Sequence, residues 1–185
     1  MKSLLFIIVL LAAGPVSAGG VKPEHVERVK QEKKCPRCDL QYTDWRKVDL
    51  AGADLTGATL YKCQLGETNL SGSRLVWANL EMAVMPGADL SGADLTGADL
   101  RQTDMSGAKL VKANLYGANM EKAKAGGADF SGANLKGVNL VGADLRGGNL
   151  TGVNLELAVL NGALLGGATW TDGRVCGQES KGQCQ

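Results

Sequence analysis

The side chains best suited to chemistry are five cysteines and a single histidine. Cys35 and Cys38 stand together as CPRC, Cys176 and Cys184 bound a nine-residue segment near the other end, and Cys63 stands alone. Three chemistries fit that spacing. Two disulfides would staple the two ends, the usual state of paired cysteines in exported proteins. Four thiolates would hold a zinc ion if the fold brought both pairs together. CPRC would exchange disulfides with a partner if its first cysteine opened a helix, where a thiolate is stabilised. His25, in KPEHVERVKQEKK, has no nucleophile near it in sequence and reads as a solvated helix residue rather than a general base. The aspartates are more numerous, and Asp89, Asp94, Asp99 and Asp104 recur every five residues. Which of these groups meet depends on the elements that carry them.

The period of those aspartates runs through most of the chain. From Leu50 to Leu165 every fifth position, 24 in all, is Leu in 19 cases and otherwise Met85, Met105, Met120, Ala125 or Phe130. Two residues earlier stands Ala in 16 of the 24 and a small or β-branched residue elsewhere; two residues later stands Gly in 16. The residue just before the large one is usually Asp or Asn. A helix cannot place this pattern, because positions five apart drift by about 140° and would scatter the leucines around its surface. A fixed short period instead marks a solenoid, in which each unit buries its apolar face against its neighbours. If each unit makes one short extended side and one turn, four units close a square coil of twenty residues with leucine stacked on leucine. Gly after Leu then suits a corner with φ > 0, and Asp or Asn before it suits a side chain that bonds the corner backbone.

The phrase A(D/N)LxG, written almost three times in GADLSGADLTGADL (Gly87 to Leu100), resembles the pentapeptide-repeat family over Asp39 to about Thr171. The resemblance implies an all-β solenoid, a right-handed quadrilateral β-helix. Leu70 to Pro86 and Ala125 depart from the pattern without breaking its register. Some members of the family mimic DNA, bind gyrase and confer quinolone resistance, which calls for a strongly acidic surface in the cytoplasm. Here charge is nearly balanced: residues 19–38 hold six Lys or Arg against three Asp or Glu, and 39–171 hold eleven against fourteen. Neither excess is the basic footprint of a nucleic-acid binder.

Residues 1–18, MKSLLFIIVLLAAGPVSA, read as a secretory leader cut after Ala18: Lys2, an apolar run too short to cross a bilayer, then small residues. The expected divisions are therefore 1–18 signal peptide, 19–38 cap helix with CPRC, 39–171 β-helix and 172–185 tail. A solenoid must close its ends. Pro23, the early Glu24 and Glu27 and the late Lys30, Lys33 and Lys34 predict a short capping helix, with Val26 and Val29 toward the first coil. Trp45 and Trp170 occupy large inward slots near the two ends. The two cysteine pairs then sit at opposite ends of a rod roughly 32 Å long at ~4.8 Å per coil. That favours disulfides Cys35–Cys38 and Cys176–Cys184 over a zinc site. Cys63 takes a small inward slot as a buried thiol.

The same period sends Asp89, Asp94, Asp99 and Asp104 to four different faces, which excludes a carboxylate pair. Residues twenty apart stack instead, as in Asp49, Asn69, Asp89, Lys109 and Asp129, with Asp interleaved among neutral or basic groups. Glu81, Arg101 and Glu121 form one column of alternating sign. Val76, Trp77, Met82, Val84, Pro86, Tyr61 and Tyr116 fall at outward positions that the repeat does not explain. Of these, Tyr61, Val76, Trp77, Met82 and Tyr116 are the candidate partner surface. Leu157, Val159 and Leu164 are apolar at outward positions near the far end, to lie under the tail or to join two rods as a homodimer. The expectation is a non-catalytic exported scaffold, secreted or periplasmic, that uses no cofactor or metal and binds a protein or surface but neither nucleic acid nor, once the leader is removed, a membrane. A thiol-disulfide or metal role for CPRC is the alternative.

Overall fold

The computed structural model describes residues 22–185, so the expected leader, 1–18, lies outside the described residues. From Lys34 to Asn149 every fifth residue forms a parallel bridge with the residue twenty further on, without a break. The chain is therefore a right-handed quadrilateral β-helix with one five-residue unit per side. We number the faces by their bridging columns: face 1 carries Asp54, Arg74 and Asp94, face 2 Thr59, Asn79 and Asp99, face 3 Gln64, Val84 and Asp104, and face 4 Asn69, Asp89 and Lys109.

Each unit has one local logic. The large residue's carbonyl accepts a hydrogen bond from the N–H three residues on, as in Ala93 to Leu90 at 3.0 Å, and closes a turn. The second corner residue has positive φ at Gly92 (65°) and Gly97 (63°), but also at Lys62 (53°) and Trp77 (57°). Glycine is thus preferred at the corner rather than obligatory. The Asp or Asn before each large residue accepts from the backbone N–H two residues later, as in Ser91 N–H to Asp89 Oδ1 at 2.9 Å. That bond uses the first corner donor, which has no partner in the next coil, and it explains the D/N position. The remaining donors pair between coils, as in Leu95 N–H to the Asn114 carbonyl at 2.7 Å. All large slots from Leu40 to Leu150 are buried. Ala125 and Phe130 share one coil, so the volume lost at one slot is offset at the next.

The ladder begins at Lys34, one unit ahead of the sequence expectation, and places Cys35 and Cys38 in a large and a small inward slot of the first coil. Over them lies α1, Pro23–Glu32, with Pro at its start, Glu24 in its first turn, Lys30 in its last and Val29 buried beneath it. His25 is not a freely solvated residue: it is half-buried, and its Nδ1 accepts the Asp39 N–H at 3.1 Å, tying helix to coil. At the other end the chain reverses after Trp170, and residues 174–182 run back antiparallel, bridging Thr169 to Val175 and Leu164 to Lys181. The tail therefore covers faces 4 and 3. Leu164 lies half-buried under it and is not part of an open end.

Candidate functional site

The chemically capable groups are taken up by the scaffold. Cys35 and Cys38 form one disulfide, with Cα atoms 5.5 Å apart, and Cys176 and Cys184 another, at 4.9 Å. Cys35 is 0% and Cys38 2% exposed, so a partner thiol has no line of attack on CPRC. Among the described residues no three His, Cys, Asp or Glu side chains are grouped to hold a metal ion. Cys63 Sγ donates to the Leu40 carbonyl at 2.9 Å and lies 3.3 Å from Thr43 Oγ1. Burial pushes its thiol up to about 11, which leaves no nucleophilic thiolate at neutral pH. The aspartates are held in their own corners. The Arg46 side chain keeps the Asp44 carboxyl below its ordinary range, the Arg146 side chain does the same for Asp144, and the Ser91 hydroxyl for Asp89. A depression of about 340 Å³ between the tail and face 3 is lined by Arg146, Gln178, Glu179 and Lys181, but the Arg146 guanidinium is already spent on Asp144 at 2.5 Å.

The outward residues are distributed less evenly than the repeat requires. Val76, Trp77 and Tyr116 stand on the corner between faces 1 and 2; Tyr61 and Met82 stand on the corner between faces 2 and 3. All five border face 2. Val84 and Pro86 lie beyond, on face 3 and its far corner. Trp77 is 69% exposed and Tyr116 50%. The indole rests on the corner at Gly97, where a Cβ would meet its ring atoms, so glycine there gives the ring a seat. On the opposite corner the Tyr42 and Tyr61 rings pack edge to face at 5.6 Å, Tyr61 OH donates to the Met82 sulfur at 3.6 Å and the Lys62 ammonium lies 5.1 Å from the Tyr61 ring centre. On that same corner, in one column with Tyr61, Arg101 bonds Glu81 at 3.1 Å and reaches back to Asp99 on face 2 at 2.6 Å. Glu121, expected in the same ladder, instead pairs with Lys122 at 3.3 Å.

Sequence reasoning overlooked Tyr42. The register that exposes it is set by Leu40 and Trp45, both buried, which stand two units and one unit before the strict leucine count begins. Toward the far end the same face carries Val159, and the same first corner carries Leu157, 44% and 74% exposed.

A four-sided parallel β-helix with one five-residue unit per side, Leu stacked on Leu within and Asp or Asn bonded to its own corners, defines a β-solenoid repeat protein. A family description, pentapeptide repeats, matches in eight copies over residues 36–72, 73–111, 113–152 and 139–169. The chain belongs to the pentapeptide repeat family. HetL, a pentapeptide repeat protein involved in heterocyst differentiation regulation in the cyanobacterium Nostoc sp. strain PCC 7120, is 31% identical over 77% of this chain and 80% of its own, with a TM-score of 0.35. A pentapeptide repeat protein of the Arabidopsis thaliana thylakoid lumen is 30% identical over 69% of this chain and 77% of its own, with a TM-score of 0.24. Full-length QnrB1, a plasmid-mediated fluoroquinolone resistance protein, is 18% identical over 75% and 78% of the two chains, with a TM-score of 0.39. No curated protein matches the sequence.

Proposed function

We propose that this protein is an exported, non-catalytic scaffold that binds a partner protein through face 2 and its two aromatic corners. The observation that carries the proposal is the placement of Trp77: a large flat ring, mostly in solvent, on a corner whose neighbour is cut back to glycine to seat it. Burying such a ring gives a partner the kind of anchor that dominates protein interfaces. Tyr116, Tyr61 and Met82 extend the apolar border, and the linked Asp99, Arg101 and Glu81 supply polar groups on face 2 and its second corner. The corner between faces 4 and 1, by contrast, carries Ala51, Ser71, Ser91, Val111, Ser131 and Thr151 at its first position, with no aromatic ring among them. Export rests on the leader-like residues 1–18 and on two disulfides of the kind that persist outside the cytosol.

Crosslinking in the native compartment tests the surface. Trp77→Ser is expected to lose the crosslinked partner while Lys112→Ser, on the corner between faces 4 and 1, retains it. Equal capture by both variants would overturn the assignment of face 2. N-terminal analysis of the accumulated protein tests export: a start at Gly19 supports it, and an intact Met1 in the cytoplasm refutes it.

A further inference from the structure

The two ends of the rod are closed to different degrees. α1 lies across the first coil, whereas the tail supplies a further layer at the last coil on faces 3 and 4 only. On faces 1 and 2 the edge is bare among the described residues. One coil earlier, Leu135, Gly137, Leu140 and Gly142 each donate their N–H to the carbonyl nineteen residues on. Their counterparts Leu155, Leu157, Leu160 and Gly162 have no backbone acceptor among the described residues. The side chains tell the same story, since Leu135 and Leu140 are buried while Leu155 and Leu160 are only half-buried. An apolar strand edge with unpaired donors is a template for another strand.

The tail has an unpaired edge of its own. Trp170 and Cys176 make the bonds that flank Val175, and Leu165 and Gly182 those that flank Lys181, so the N–H and carbonyl of Val175 and Lys181 point away from the coil. The tail is thus half of a square layer with one edge bonded and one free, and the bare faces lack the other half. A two-fold axis across the rod, along the diagonal that exchanges face 1 with face 4 and face 2 with face 3, sets each copy's tail over the other's bare faces. We propose that two copies of this chain join tail to tail in this way, the two half-layers making one complete coil shared between them. The contact is isologous and, with α1 closing the outer ends, stops at a dimer. A side of three extended residues spans about 10 Å, so a rod end with its side chains covers roughly 400 Å² per copy, about half of a standard interface. The dimer is therefore a concentration-dependent one.

Sedimentation of the full chain from micromolar to millimolar concentration, paired with hydrogen exchange, tests this. The expected result is a reversible monomer–dimer equilibrium with nothing larger, in which the amides of Leu155, Leu157, Leu160 and Gly162 exchange roughly tenfold or more slowly in the dimer. Leu157→Lys on the bare corner and Val175→Asp on the tail edge should each abolish the dimer without lowering the melting temperature of the monomer. A monomer throughout the range overturns the proposal. So does a dimer that leaves those four amides unprotected, as docking through face 2 would. Protection of the same amides in a monomer would overturn it as well, because the edge would then be covered without a second copy.

Discussion

Ser73 is the one side chain that puts an unanswered polar atom into the core: its Oγ is buried and has no hydrogen-bond partner among the described residues. The other hydroxyls in small slots are satisfied, Thr68 by the Trp45 carbonyl and Thr103 by the Leu100 carbonyl, both at 2.7 Å. Leaving a buried hydroxyl unmade costs on the order of 1 kcal/mol, whereas alanine in the same slot costs nothing in hydrogen bonding and is the residue most units already use. Ser73→Ala is therefore expected to raise the melting temperature by about 2–4 °C in a thermal scan. Thr103→Ala, which gives up a made bond, should not raise it. Equal gains from both would mean that the Ser73 hydroxyl is not orphaned. The slots themselves were legible residue by residue, because a five-residue period with Leu and Ala in fixed places admits few geometries. Of the Arg101 partners, Glu81 was legible from the twenty-residue column, but Asp99 was not, since a guanidinium reaches a carboxylate within its own unit as readily as one a coil away.

The elements at the two ends obey rules other than the repeat, and their legibility differs accordingly. α1 shows in the sequence through Pro23, Glu24 and Lys30, which suit the two poles of a helix. The first unit is hidden in the sequence because Cys35 stands where the pattern wants Leu, so the leucine pattern starts later than the ladder does. The tail carries no repeat at all. Only Cys176 and Cys184 hint that it is fixed, and its antiparallel return over faces 4 and 3 depends on tertiary pairing that no local signal encodes. That pairing makes a specific prediction for the element. Closing a loop of this length contributes roughly 2.5 kcal/mol through the unfolded tail. Cys184→Ser should free the tail, and the amides of Leu165 and Gly167, which donate to Ser180 and Cys176, should exchange up to about fifty-fold faster. Leu95, deep in the rod, should be unchanged. Uniform acceleration along the chain would show that the tail is not a separately opening unit.

Across the whole molecule the acidic residues are concentrated in particular coils, and this governs how the rod meets acid. Asp39, Asp44, Asp49 and Asp54 fill four successive bridging positions at the front, and Asp89 to Asp104 fill four in the middle, whereas Asn134, Asn139, Asn149 and Asn154 dominate near the end. Several of these carboxyls sit below their ordinary range: Asp49 through the Lys33 ammonium, Asp54 through the Thr56 hydroxyl, Asp89 through the Ser91 hydroxyl. A carboxyl depressed in the folded state contributes stability that is fully present above its unfolded value, near 3.9, and is lost as pH falls through the lower folded value. The groups are exposed and solvent-screened, so each contributes little and the sum decides. The melting temperature is expected to hold level down to about pH 5 and then to fall as the pH drops below about 4. Asparagine does not titrate, and the Asn119–Asn139 and Asn114–Asn134 ladders, at 3.1 and 3.0 Å, keep their bonds. Hydrogen exchange at acid pH, corrected for intrinsic rates, should therefore show protection falling first at Leu50 and Leu95 and last at Leu140. The reverse order, or no loss by pH 2, would mean that the corner carboxylates hold their turns equally well when protonated.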